Sequence, residues 1–323
     1  MDIEAVKKAQ EIETHSQYSL DAGFEKLNRD MPAFTPQEWD KGTFNIQHWL
    51  ERTPQKRLLD TDFGRKKDIF GPSEAVMTDP LLNSVYKMDI ATFLTAERIS
   101  MINMSKMISF APDENSQVFL ATQSLDEARH YEVFCRRLAD VGMTPQQRQD
   151  LVKDMTLPKM KQFYDLIDEQ VDKKQFVPAL LAHNIVLEGM VYPLYRYEIK
   201  YWSKLDPALS SIVRNVFADE VQHVSFGEAF IEREARSGAP MRNQIIKLAG
   251  EFHQLMNEVF DEVIDHVIGL YQASADMHAE VMGDIEIFPG HKMGNLTEED
   301  QTRLLQQEIQ QEYQNRLQAI GLA

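Results

Sequence analysis

The sequence predicts an all-α fold, a bundle of long helices. Three observations predict it. Long stretches carry apolar residues at helical spacing, and nothing in the 323 residues reads as a strand. Asp79-Pro80 and Asp206-Pro207 each pair a good helix N-cap with a residue suited to the first helical position. The phrase Asp-Glu-x-x-His occurs twice, as Asp126-Glu127-Ala128-Arg129-His130 and as Asp219-Glu220-Val221-Gln222-His223, each inside such a stretch. A Glu and a His three apart on a helix project to the same side.

Residues 3–29 read as a helical or partly ordered lead-in. Residues 30–80 hold Pro32, Pro36, Pro54, Gly64, Gly71 and Pro72 around Trp39 and Trp49, an irregular stretch, so residues 1–79 are expected to wrap the bundle. The first core helix is Leu81–Phe110, with Ile90, Phe93, Leu94, Met101, Met104 and Ile108 in its apolar stripe. Glu97 falls in that stripe, where a carboxylate must be paired, protonated or metal-bound. Asn115–Val141 is the second, closed by Gly142, and places Phe119, Gln123, Glu127, His130 and Phe134 on one face. Residues 144–172 form a shorter helical connection broken at Pro158.

The third core helix, Phe176–Leu205, carries Ile185, Glu188 and Tyr192 inward and is interrupted by Gly189 and Pro193. Pro193 removes the backbone bond to Gly189 and clashes there, which predicts a kink or a π-bulge. The fourth, Ala208–Arg236, sets Val213, Val216, Glu220, His223, Gly227 and Phe230 on one face and ends at Gly238 and Pro240. Helices over 241–282 and 297–320 flank the core. The whole chain, 1–323, reads as one domain with its core helices at about 80–236.

The formal charge of -17 argues against nucleic acid or an anionic membrane as partner and suits a solvated surface. The one cysteine, Cys135, excludes an intrachain disulfide, zinc–cysteine sites and iron–sulfur clusters, and fits a reducing cytoplasm. Met1 to Glu13 lacks the apolar core of a signal peptide, and no apolar run is expected to span a membrane.

Glu97 stands 30 residues before Glu127, and Glu188 stands 32 before Glu220, so the core reads as a duplicated helix pair. Such gaps allow antiparallel helices to hold both glutamates at similar depth. Four-helix carboxylate metalloproteins use two Glu-x-x-His helices and one Glu from each of two others. Glu97, Glu127, His130, Glu188, Glu220 and His223 are therefore candidate metal ligands, and four Glu with two His suit iron or manganese. Asp126 and Asp219, each four residues before its own His, could accept the second ring N–H of a ligating histidine. A lone Glu-x-x-His is usually a solvated face, and Glu97 could pair with Arg98 or Arg129. Six positions agreeing on four helices outweigh that reading.

These residues resemble the ferritin-like di-metal carboxylate superfamily, and within it the ligand-binding oxidases related to the small subunit of ribonucleotide reductase. The similarity runs through Asp126–Phe134, Asn184–Gly189 and Asp219–Gly227 and covers roughly residues 80–235. It implies a ferritin-like four-helix bundle with additional flanking helices, two iron ions or a manganese–iron pair that activates dioxygen, a hydrophobic channel and a homodimer. Radical-generating small subunits carry a tyrosine seven residues after the second ligand Glu, where this chain has Phe134. In the ligand-binding oxidases a tyrosine becomes ether-linked to a valine, at positions that are His183 and Ile99 here, so that cross-link cannot form from this pair.

His183 has three readings: a seventh ligand, a proton donor or substrate contact beside the metals, or a hydrogen-bonded core histidine. In a regular helix it lies about 140° from Glu188, and a π-bulge would bring it closer. Ile99, Phe134 and Tyr192 are expected to line a pocket. The function expected is a di-metal oxidase or oxygenase acting on an apolar small molecule, a fatty acyl chain or an amine, with electrons from a separate reductase or ferredoxin. The alternatives are a radical-generating ribonucleotide reductase-like subunit and a ferroxidase or iron-binding protein.

Overall fold

A computed structural model describes residues 71–322. The expected N-terminal wrap therefore lies almost wholly outside the described residues. Asp79 caps helix α2 (Pro80–Ile108) by accepting from the Leu81 and Leu82 amides, after the short α1 (Glu74–Thr78). Asp113 caps α3 (Glu114–Asp140), and the chain leaves it through Gly142 at φ +85°. That left-handed conformation costs a glycine little. Thr144 and Gln147 form a reciprocal capping box on α4 (Pro145–Met155), and α5 (Pro158–Asp172) follows.

The third core helix is broken as its sequence requires. It runs as α6 (Phe176–Leu180), a π-helical segment Leu181–Glu188, and α7 (Tyr192–Leu205) beyond a turn at Val191. Asp206 then caps α8 (Pro207–Arg236) through the Leu209 amide and also accepts from Arg137. The flanking region expected at 241–282 is α9 (Ala239–Met277) and the short α10 (Ala279–Met282), and α11 (Glu298–Ala319) ends the described chain.

The sequence reading contained no strand, and the structure corrects it. Glu286–Phe288 (β1) and His291–Lys292 (β2) pair antiparallel around Pro289 and Gly290. Strands of three and two residues are too short to show alternation. A second correction concerns Phe176–Leu205, which is long and apolar enough to cross a membrane by length and composition. It is the buried core helix, and its apolar surface is covered by α8, α9 and α11.

Helices α2 and α3 pack along their lengths, as do α7 and α8, and α9 crosses behind the π segment and α5. One continuous apolar core fills the space between them. The close approach of α8 to the π segment depends on Gly227. A Cβ there would lie 2.7 Å from Asn184 Cβ and 3.2 Å from Ile185 Cδ1.

Candidate metal centre

Four helices each contribute to one buried cluster. Glu97 comes from α2, Glu127 and His130 from α3, Glu188 from the π segment, and Glu220 and His223 from α8. All six are at most 5% exposed. The donor atoms form two groups, Glu97, Glu127, His130 and Glu220 in one, Glu127, Glu188, Glu220 and His223 in the other. Within each, all donor atoms lie within 4.8 Å of one another. Glu127 and Glu220 belong to both.

Both histidines turn Nδ1 into the cluster. His130 Nδ1 lies 3.3 Å from Glu97, 3.5 Å from Glu127 and 3.5 Å from Glu220. His223 Nδ1 lies 3.2 Å from Glu220, 3.3 Å from Glu127 and 4.0 Å from Glu188. Both turn Nε2 outward to an aspartate, but across the bundle. His130 Nε2 meets Asp219 at 3.1 Å and His223 Nε2 meets Asp126 at 3.4 Å. The sequence set each aspartate beside its own histidine. The structure exchanges them between α3 and α8, because antiparallel neighbours bring each Asp opposite the other helix's ring. Arg129 joins the two halves, donating to Asp126 and, at 3.0 Å, to Asp219. Its guanidinium offsets the aspartates, not Glu97.

An ionised carboxylate only accepts, so each Asp takes the Nε2–H and leaves Nδ1 as a lone pair facing glutamate oxygens. Lone pairs and carboxylates at 3.2–3.5 Å need a cation or a proton between them. The titration of the cluster states the same demand. Burial, then the Glu220 charge, pushes the Glu127 carboxyl well above its ordinary range. Burial, then Glu188, pushes Glu220 up to about 7. Burial opposes protonation of both rings, yet Glu97 raises His130 and Glu220 with Glu127 raises His223 well above the usual imidazole value. Four glutamates with two inward imidazoles therefore fit a pair of divalent ions, which would take the place of those protons.

Glu188 has a separate set of partners. Gln123 Nε2 donates to its Oε1 at 2.9 Å, and Asn184 holds Gln123 in turn while donating to the His223 carbonyl. His183 Nδ1 lies 3.2 Å from the same Oε1, and His183 Nε2 lies 2.9 Å from Ser100 Oγ. Burial opposes ionisation of Glu188, but His183 and then His223 hold its carboxyl below the usual range. Its Oε2 is buried with no hydrogen-bond partner among the described residues, as expected of a ligand atom.

Of the residues expected to line a pocket, none lines the cavity found beside this cluster. Tyr192 is buried with its hydroxyl on the Glu220 carbonyl and its ring against Phe217. Phe134 stacks on Phe93 at 4.9 Å, one layer behind the wall, and Ile99 is half-buried in the core. The wall includes Phe93, Tyr164, Tyr195 and the α9 face from Met256 to Tyr271. Tyr195 is the residue the sequence reading missed. It stacks on Phe93 at 5.5 Å, and burial followed by the Glu220, Glu97, Glu127 and Glu188 charges raises its hydroxyl well above the usual value. It stands seven residues after Glu188, two turns along the same helix, a spacing that could have marked it.

No protein-family model matches the chain, and no curated protein matches it. Solved structures do. An R2-like ligand-binding oxidase variant with an aerobically reconstituted Mn/Fe cofactor superposes with a TM-score of 0.65 at 17% identity, over 90% of this chain and 94% of that one. The chain has the ferritin-like fold of the R2-like ligand-binding oxidases. A second variant with Mn/Fe gives 0.64 at 17% identity, and one with an Fe/Fe cofactor gives 0.56 at 18%, each over the same shares of the two chains. At these identities the likeness to R2-like ligand-binding oxidases establishes the ferritin-like fold, and the chemistry must be argued from the cluster.

Proposed function

We propose that the protein is a dioxygen-activating oxidoreductase with two metal ions, Fe/Fe or Mn/Fe, acting on an apolar small molecule such as a fatty acyl chain or an amine. The observation that carries the reading is the pair of four-residue donor groups sharing Glu127 and Glu220. The cofactors of the structural relatives, Mn/Fe in two and Fe/Fe in a third, support it. When bound, such a metal pair supplies dioxygen activation and the oxidising power for a C–H or N–H bond.

The chain supplies everything else. Glu97 with His130 would hold one ion and Glu188 with His223 the other, with Glu127 and Glu220 available to both. Asp219 and Asp126 fix the two ring tautomers, and Arg129 compensates their charge. Gln123 and His183 hold Glu188 Oε1 from two directions and leave Oε2 free to coordinate. His183 Nδ1 faces that carboxylate oxygen at 3.2 Å. Phe93, Phe134 and Tyr195 exclude water on the cavity side, which strengthens every charge interaction within. No flavin, haem or iron–sulfur motif is present in the sequence, so electrons come from an external reductase or ferredoxin.

Oxygen uptake by protein loaded with Fe(II) under nitrogen tests this. Uptake in proportion to bound metal, absent from metal-free protein, is expected. A metal-loaded protein that leaves oxygen untouched would rule the reading out.

A further inference from the structure

The cavity connects the depth of the carboxylate cluster with a second acidic pair. On α2 its lining runs from Ala96, next to Glu97, back to Asp89. On the third core helix it runs from Leu187, next to Glu188, on to Glu198. Asp89 and Glu97 are eight residues apart, about 12 Å along a helix at about 1.5 Å per residue. The α9 wall extends from Met256 to Tyr271, about 22 Å by the same rise. The space is therefore elongated. Its walls are aliphatic and aromatic apart from Thr92 and tyrosine hydroxyls until they reach Asp89 and Glu198.

At that end the two carboxyls share two neutral donors. Trp202 Nε1 lies 2.7 Å from Asp89 and 2.9 Å from Glu198, and the Tyr271 hydroxyl contacts both. Among the described residues, no lysine, arginine or histidine lines the cavity. Two N–H or O–H protons cannot satisfy two carboxylates, each with about four acceptor sites. Burial raises both acids, and Glu198 raises Asp89 further. Asp89 is 5% exposed, while Glu198 is only half-buried and presents surface to the cavity.

We propose that this cavity binds an apolar chain headed by a protonated amine, with the ammonium between Asp89 and Glu198 and the chain running toward Glu97 and Glu188. An ammonium brings three donors and no acceptor, which is the complement of what the pair lacks. A carboxylate head at this end would be repelled, and a methyl end would leave the acids unmatched. The oxidase reading gains a substrate class from this, and rests on the cluster only for the fate of the chain. The portion of the ligand about 12 Å from its nitrogen would lie at the depth of the cluster, behind the Phe93 and Tyr195 layer.

The test is calorimetric binding of decylamine, decanol and decanoate at pH 7 to the full-length protein, loaded with Mn(II) under nitrogen and also metal-free. Decylamine should bind at least tenfold more tightly than decanol or decanoate in the metal-free protein. Glu198→Gln, which keeps the shape, should remove that preference, and Leu194→Trp, which fills the cavity, should remove binding. Decanoate binding as tightly as decylamine to metal-free protein, or an amine preference that survives both Glu198→Gln and Asp89→Asn, would overturn the proposal. So would decylamine binding that survives Leu194→Trp. Metal content of the same samples separates the two readings. Loaded protein with no amine preference defeats this proposal alone, and failure to load metal defeats the oxidase reading while leaving the amine preference measurable.

Discussion

His183 Nδ1 lies 3.2 Å from Glu188 Oε1, five residues further along the chain. In an α-helix those side chains diverge by about 140°, whereas in a π-helix residues five apart are joined by one turn of hydrogen bonds. The π segment Leu181–Glu188 is thus what brings His183 to the cluster. Partners of metal-binding side chains typically contribute about 10–100-fold in metal affinity. His183→Gln is expected to weaken metal binding by a factor in that range, read by competition against a chelator. An unchanged affinity would assign His183 to packing and to Ser100 alone.

Arg129 is the cation between Asp126 and Asp219. Arg129→Met leaves two buried carboxylates facing each other, and breaking a buried pair this way costs about 3–5 kcal/mol. Denaturant unfolding should show that loss. Adding Asp219→Asn to the same variant should recover part of it, since one of the stranded charges is then gone. Additive losses would mean that the three side chains are not coupled.

The stabilities of metal-free and metal-loaded protein are expected to diverge as pH rises. Glu220, raised to about 7, and Glu127, raised in the same direction, stabilise the fold most below about 4.5, and that stability is lost as pH rises through their folded values. His130 and His223, also raised, retain their contribution below about 6.5 and lose it as pH rises through their higher folded values. Metal-free protein should therefore lose melting temperature between about pH 5 and pH 8. Glu228, raised to about 7 by burial against the pull of Arg316, adds to that slope in both forms. Metal binding releases the cluster protons, so the stabilisation by metal should grow over the same interval. Melting curves of both forms across that interval decide it, and parallel curves would contradict the account.

Gly227 sets the distance between α8 and the π segment. Gly227→Ala puts a methyl 2.7 Å from Asn184 Cβ, and overpacking of this kind costs about 1–3 kcal/mol. Because Asn184 also holds Gln123 and the His223 carbonyl, the variant should lose metal affinity together with stability. A variant of full stability and full affinity would show that the helices can separate freely.

Much of this was legible in the sequence, for particular reasons. Glu127 with His130 and Glu220 with His223 were visible because three residues nearly complete a helical turn, and Glu97 because a carboxylate interrupts an apolar stripe. The conflict of Gly189 and Pro193 with a regular helix announced the π segment. The exchange of Asp126 and Asp219 between histidines was not legible, since a helix face says what a side chain points toward only after its neighbour is placed. The cavity wall was missed for the same reason. Met256, Phe260 and Tyr271 lie on α9, a flanking helix with no sequence mark that tied it to the cluster.

The measurement that tests the central claim most directly is metal content after anaerobic reconstitution, for the native chain beside Glu127→Ala and Glu220→Ala. Both groups of donors use these two glutamates, so the account predicts about two iron or manganese ions per native chain and loss of both ions in either variant. A native chain that binds no metal, with both variants merely less stable, would make the six residues a buried polar network and contradict the account.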